Sequence, residues 1–144
     1  MPDYSTQKFT IGVVFSQDFS QVLLAHKTRP EWQAGKLNVP GGKYEPGEAA
    51  EVCVRREFLE ETGLDIQAED WRYLGAIGQD FGDVGVLTAR YLGATEDVRS
   101  LTDEKIEWFP THHLPEHVIP NLRWLIPLAE EGLTTGLKEF FIKY

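Results

Sequence analysis

Glu57, Glu60 and Glu61 stand at i, i+3 and i+4 in a stretch with helical patterning. At 100° per residue this spacing gathers the three carboxylates within about 100° of one another. Glu45 and Glu48 lie just ahead. Like charges so spaced destabilise a helix by about 0.2–0.5 kcal/mol per pair, and the C-terminal half of a helix disfavours anions. Local stability argues against the arrangement, so something must offset it. A solvated face partnered by Arg55 and Arg56 is the plain alternative, since charge runs usually lie at the surface. The carboxylates, however, share their sector with Ala49, Ala50 and Cys53, and small residues let another layer or a ligand come close. Upstream, Gly41-Gly42 can add backbone carbonyls. Carboxylates with a carbonyl are hard oxygen ligands, suited to Mg²⁺ or Mn²⁺. Such ions keep waters and bind substrate phosphates.

The elements that must position these residues follow from pattern. Residues 9–15 (FTIGVVF) and 21–26 (QVLLAH) read as strands joined by a short polar hairpin. Residues 29–38 contain Pro30 and Gly35 and read as a loop, and residues 39–42 (VPGG) as turn chemistry at a strand edge. Pro46-Gly47-Glu48 precedes a helix over about 49–62, which Gly63 stops. Val52 and Leu59 share one side of it and Val54 and Phe58 another, so protein is expected to cover it on more than one side. Residues 71–77, 84–92 and 105–109 read as strands, with a turn at 78–83. Residues 121–130 carry Leu122, Leu125, Ile126 and Ala129 at helical spacing, just after Pro120. Residues 140–144 read as a last edge strand. The layout is mixed α/β rather than strict βαβ alternation.

Composition narrows the function. A chain of 144 residues fits a single domain, 1–144, and needs no staple to build a core. Its net charge of −9 argues against a nucleic-acid polymer as partner. If the ligand is anionic, divalent metal is the obvious screen. Cys53 is the only cysteine, which excludes an intrachain disulfide and a zinc site built from several thiolates. The N-terminus lacks the pattern of a secretory signal, and no apolar run is long enough to span a membrane. A cytoplasmic protein, monomeric or homodimeric, with no membrane partner is expected.

Gly42-Lys43-Tyr44-Glu45-Pro46-Gly47-Glu48, followed by Arg56-Glu57-Phe58-Leu59-Glu60-Glu61-Thr62-Gly63-Leu64, fills every fixed position of G-x5-E-x7-R-E-U-x-E-E-x-G-U, with U apolar. Over residues 42–64 the chain therefore resembles the Nudix family. The resemblance implies an α/β/α sandwich around a mixed sheet and Mg²⁺-dependent hydrolysis of a nucleoside diphosphate linked to another moiety. It implies that Glu57, Glu60 and Glu61 hold metal, and that one of them, Glu57 by preference, positions or deprotonates the attacking water. Arg56 would orient the carboxylates, the Gly41 carbonyl would be a further ligand, and Lys43 would approach the phosphates. A more distant acidic ligand is expected at Glu104, with Asp103 as the runner-up.

The segments outside the box resemble the MutT-type purine nucleoside triphosphatases. Residues 64–109 lack the proline that tends to mark ADP-ribose enzymes, and Gln79-Asp80-Phe81 lacks the tyrosine of dinucleoside polyphosphate enzymes. By this resemblance Trp32, Asn38 and Asn121 form the base pocket, and Lys27 joins the substrate-binding set. Ile119 departs from it, standing where a stacking tryptophan is usual in the human-type enzyme. Each has a plainer reading: Trp32 as a loop residue over the core, Asn38 as a turn cap, Asn121 as a helix N-cap. His26, His112, His113 and His117 read as surface or loop residues, and Trp71 and Trp108 as core. The expected activity is cleavage of a purine (d)NTP, 8-oxo-dGTP included, to the monophosphate and pyrophosphate. The alternatives are hydrolysis of another nucleoside diphosphate conjugate and a non-catalytic nucleotide sensor. The intact glutamates argue against the sensor.

Overall fold

Successive residues of the central strands point to opposite faces, and both faces are apolar. Val13 and Phe15 lie in one core and Val14 in another, all fully buried. Val22 and Leu24 alternate in the same way with Leu23 and Ala25, and Val86 with Leu87. A sheet buried on both faces needs a layer on each. The computed structural model, which describes residues 7–143, supplies them as two helices.

The strands are β1 (Gln7–Phe15), β2 (Gln21–His26), β3 (Leu37–Asn38), β4 (Gly41–Lys43), β5 (Arg72–Gly78), β6 (Asp83–Arg90), β7 (Ile106–Pro110) and β8 (Phe140–Lys143). They form one mixed sheet in the order β3-β2-β1-β6-β5-β8, with β4 paired to β1 and β7 to β2. β1 runs parallel to β6 and antiparallel to β4. Helix α1 (Ala50–Thr62) covers one face, and α2 (Leu122–Thr134) covers the other. This is the expected α/β/α sandwich with a mixed sheet. Among the described residues no helix is long and apolar enough to cross a membrane.

Most element boundaries fall within a residue or two of the pattern. Helix α2 runs four residues further than expected, through the buried Gly132. The last residue of the expected edge strand, Tyr144, lies outside the described residues. The segment read as loop holds a single 3₁₀ turn, Glu31–Gln33, and the short β3. His26 sits within β2 and bonds Glu107 Oε1 through Nε2 at 2.6 Å. Trp71 is core, edge-on to Phe58. Trp108 is half-buried against the same core, its Nε1 bonded to the Thr95 carbonyl.

One expectation fails. Helix α1 is covered on one side only: Ala50, Cys53, Val54, Phe58 and Thr62 face the sheet, while Val52 and Leu59 are 48% and 45% exposed. Val52 and Leu59 lie about 150° round the helix from Val54, so one sheet cannot cover both stripes. Gly63 ends the helix in the left-handed conformation, φ 75°, its N–H bonded to the Leu59 carbonyl.

Phe58→Ala is expected to cost about 3–5 kcal/mol of stability, and Val52→Ala less than about 0.5 kcal/mol. Urea unfolding followed by circular dichroism checks both. Equal losses would mean that the outer stripe is covered after all.

Candidate active site

Arg56 projects from the middle of α1 into a ring of acceptors. Its Nε donates to Glu48 Oε2 at 2.7 Å and its Nη2 to Glu48 Oε1 at 2.8 Å, a bidentate pair. The same Nη2 reaches the Lys43 carbonyl at 2.9 Å, and Nη1 reaches Glu57 Oε1 at 2.9 Å. Glu60 Oε1 stands 3.6 Å from Nη1, on an exposed side chain. The hydrogen bonds from Arg56 hold the Glu48 carboxyl below its usual range.

Strand β4 brings the backbone to this ring. Gly12 N–H donates to the Pro40 carbonyl and Tyr44 N–H to the Lys8 carbonyl. In an antiparallel ladder this makes Thr10 and Gly42 the hydrogen-bonded pair, so the polar groups of Gly41 and Lys43 point away from β1. The Lys43 carbonyl accordingly meets Arg56, and the Gly41 N–H meets Glu61. The Gly41 carbonyl lies on the same side. A Cβ at Gly42 would overlap the Glu57 carboxyl, so any larger residue there would push that carboxyl out of its place.

The other carboxylates are under strain of charge. Burial raises the Glu57 carboxyl, and Arg56 only partly offsets it. Glu61 is pushed up to about 8 by burial and then by the charge of Glu57, with Lys27 and the Gly41 N–H pulling the other way. Its Oε2 is buried with no hydrogen-bond partner. Cys53, behind the ring, is buried and its thiol is pushed up to about 11 by that burial, so it packs rather than reacts.

An unpartnered buried carboxylate oxygen beside a second half-desolvated carboxyl fits a hard divalent cation. Among the described residues no three acidic, histidine or cysteine side chains form a ready-made cage.

A cavity of about 440 Å³ adjoins β4. Gly41, Gly42 and Lys43 line one part of it, and Lys27, Trp32, Gln33, Asn38, Gln79, Phe81 and Asn121 line others. Trp32 and Phe81 are each 53% exposed. Lys27 Nζ donates to Glu104 Oε1 at 2.8 Å, while Thr28 gives Glu104 Oε2 its N–H at 2.7 Å and its hydroxyl at 3.2 Å. Burial alone would raise the Glu104 carboxyl, but these bonds overcome it and hold it low. Its charge acts on Glu61, whereas Asp103 is exposed and paired with Arg29. Asn121 makes no side-chain capping bond. Sequence reasoning missed Gln33, Gln79 and Phe81, which carry no motif and enter the cavity only through the fold.

A model of the NUDIX domain matches residues 6–128. The chain belongs to the Nudix family. Nudix hydrolases generally use divalent metal ions. The chain is 33% identical over 112 residues to the NAD-capped RNA hydrolase NudC of Vibrio atlanticus, a match covering 75% of this chain and 39% of that one. It is 36% identical over 69 residues to "Putative 8-oxo-dGTP diphosphatase 2" of Mycobacterium tuberculosis, 48% of each. The matches thus span less than half the length of these relatives. A solved MutT structure, from work on the Aliivibrio salmonicida and Vibrio cholerae proteins, superposes with a TM-score of 0.66. It shares 21% identity and covers 83% of this chain and 96% of that one. The Nudix box residues 42–64 occupy β4, the entry to α1 and α1 itself.

The carboxyl shifts set a pH dependence. A free Glu titrates near 4.5 and folded Glu61 at about 8, so the folded chain keeps a proton that the unfolded chain has lost. The stability this contributes is whole below the lower value and is lost as pH rises through the upper one. Glu57 acts in the same sense, while Glu48 and Glu104, shifted down, act at lower pH. Without metal, the melting temperature is expected to fall by roughly 10 °C between about pH 5 and pH 8.5. Glu61→Gln should flatten the fall, as scanning fluorimetry in chelator will read. An equally steep fall in the variant would mean that Glu61 is not the group titrating.

Proposed function

We propose that this protein is a Mg²⁺-dependent nucleoside triphosphate pyrophosphohydrolase of MutT type, acting on a purine (d)NTP, 8-oxo-dGTP included. One observation carries the reading: a single cavity runs from the glycines that abut the glutamate ring to a wall of tryptophan and amides. The first end suits a phosphate chain and the second a base. Glu57, Glu60, Glu61 and the Gly41 carbonyl would hold Mg²⁺, or Mn²⁺ in its place, with Glu104 beside Glu61. The bound ion supplies charge neutralisation for the phosphates and a lowered pKa for water.

The chain's own residues do the rest. Arg56 holds Glu57 at a fixed angle, and burial makes that carboxyl a better base than an exposed one. Lys43 extends its charge from β4 along the cavity towards the phosphates, and Lys27, fixed by Glu104, adds a second. Trp32 offers an exposed ring for stacking, and Asn121 an amide for a base edge.

Similarity to NudC favours a second reading, hydrolysis of a nucleotide conjugate such as NAD. A panel of dGTP, 8-oxo-dGTP, dATP, dCTP, NAD and ADP-ribose, with products resolved by chromatography, separates the two. Monophosphate and pyrophosphate from a purine triphosphate support the first reading. Cleavage of NAD or ADP-ribose alone would replace it with the second.

Glu57→Gln is expected to lower kcat by about 100-fold or more while leaving the circular dichroism spectrum intact. An enzyme within about tenfold of wild type, or turnover indifferent to chelator, would sink the metal mechanism.

Asn121→Ala is expected to lower kcat/KM for the preferred purine by roughly 5- to 150-fold, with a much smaller effect on dCTP. As the side chain makes no capping bond, the melting temperature should barely move. An unchanged substrate ratio with a lower melting temperature would assign Asn121 to the helix alone.

A further inference from the structure

The Val39 N–H is a backbone donor, and no side-chain rotation can reverse its polarity. It donates to Asn38 Oδ1 at 2.8 Å. That bond decides which end of the Asn38 amide is oxygen, so Nδ2 must donate at the other end. It donates to Gln33 Oε1 at 3.0 Å. That bond turns the oxygen end of the Gln33 amide towards Asn38 and leaves Nε2, with two hydrogens to donate, at the other end. Its backbone is pinned as well: its N–H bonds the Pro30 carbonyl, and its own carbonyl accepts the Lys36 N–H, both at 2.9 Å. Gln33 is half-buried and is one of the residues lining the cavity, as are Trp32 and Asn121.

We propose that Gln33 is a specificity-determining residue that presents the cavity with a donor of locked polarity, and that Asn38 is the positioning residue that locks it. The group so selected is a carbonyl oxygen on a nucleobase edge. The favoured ligands are 6-keto purines, guanine and hypoxanthine, over the 6-amino purine adenine, which offers a donor at that position. The inference rests on the nucleotide reading above and adds to it the sense of discrimination. Asn121 cannot supply that sense by itself, because an amide without an anchoring bond turns to offer either end.

A bracket that only stiffens the turn would affect all purines alike, so the ratio of affinities is the readout. The probes are GMP, IMP and AMP, titrated by quenching of tryptophan fluorescence. In the wild type GMP and IMP should bind at least about fivefold more tightly than AMP, the worth of one hydrogen bond. In Asn38→Asp the new carboxylate still accepts from Val39 but can only accept from Gln33. Gln33 then turns its Nε2 inward and its oxygen to the cavity, and the preference should fall to parity or invert. Gln33→Ala should abolish the preference, and Asn38→Asp added to it should change the ratio no further. Gln33→Glu, on the surface turn, moves the ratio the same way without touching Asn38.

A GMP/AMP ratio unchanged in both Asn38→Asp and Gln33→Glu would overturn the relay and leave the triphosphatase reading standing. So would an Asn38→Asp effect of equal size with and without Gln33. Discrimination among the monophosphates without hydrolysis of any triphosphate would overturn the triphosphatase reading and leave the relay standing. Failure to bind any of the three would overturn the relay, while the triphosphatase reading would stand or fall on the hydrolysis panel.

Discussion

The arrangement of the whole site turns on how one guanidinium is shared. Arg56 divides its donors among Glu48, Glu57 and the Lys43 carbonyl, with Glu60 close by. These acceptors come from strand β4, from the approach to α1 and from α1 itself. One side chain thus ties three segments together and also offsets the repulsion among clustered carboxylates. A lysine could not replace it, since its ammonium cannot bond Glu48 in a bidentate manner while reaching Glu57 and the strand. Removing either member of such a partly buried pair leaves a charge without its partner, which costs far more than the pair contributes.

Around that guanidinium the carboxyls divide by environment. Glu48 takes the two-pronged bond and stays low, while Glu57 and Glu61 are raised by burial. Glu61 lies furthest from compensation, with an oxygen that no donor meets. Where neighbours of one chemical type are pushed apart in proton affinity, they take different roles. Glu48 reads as the anchor of Arg56. Glu57 and Glu61 read as the groups whose charge is completed by something added.

The carboxylate ring was legible in the sequence because its geometry is local. Helical spacing places Glu57, Glu60 and Glu61, a C-terminal glycine ends the helix, and Gly42 lies within a strand that one side chain can reach. Pattern likewise marked β1, β2 and β6 as strands in a mixed α/β layout, while the α/β/α layering was reached by resemblance. The second stripe of α1 misled, since apolar residues at 52 and 59 look the same in a sequence whether covered or bare. The base end of the cavity was harder. Trp32, Asn38 and Asn121 were reached by resemblance, while Gln33 and Phe81 had no signal. They converge through β-pairing between distant strands, and no local pattern encodes that. Nor could spacing say that the Asn38 amide is engaged at both ends.

The charge of the chain gives the two ends of the cavity different dependencies. At net −9 the protein repels a polyphosphate, and its cations near the cavity are largely committed. Lys27 is bonded to Glu104, Arg29 to Asp103 and Arg56 to the glutamates, while Lys43 lies 5.9 Å from the centre of the Phe9 ring. A phosphate chain entering beside Glu57 and Glu61 therefore needs added positive charge before it can settle. The amide and aromatic end carries no such requirement: Gln33, Asn121 and Trp32 are neutral, and Gln33 is already held by Asn38. On the proposed reading, base recognition is prebuilt into the fold, and recognition of the phosphates is completed only when a cation joins the ring. A nucleotide can then be sorted by its base before the site is equipped to cut it.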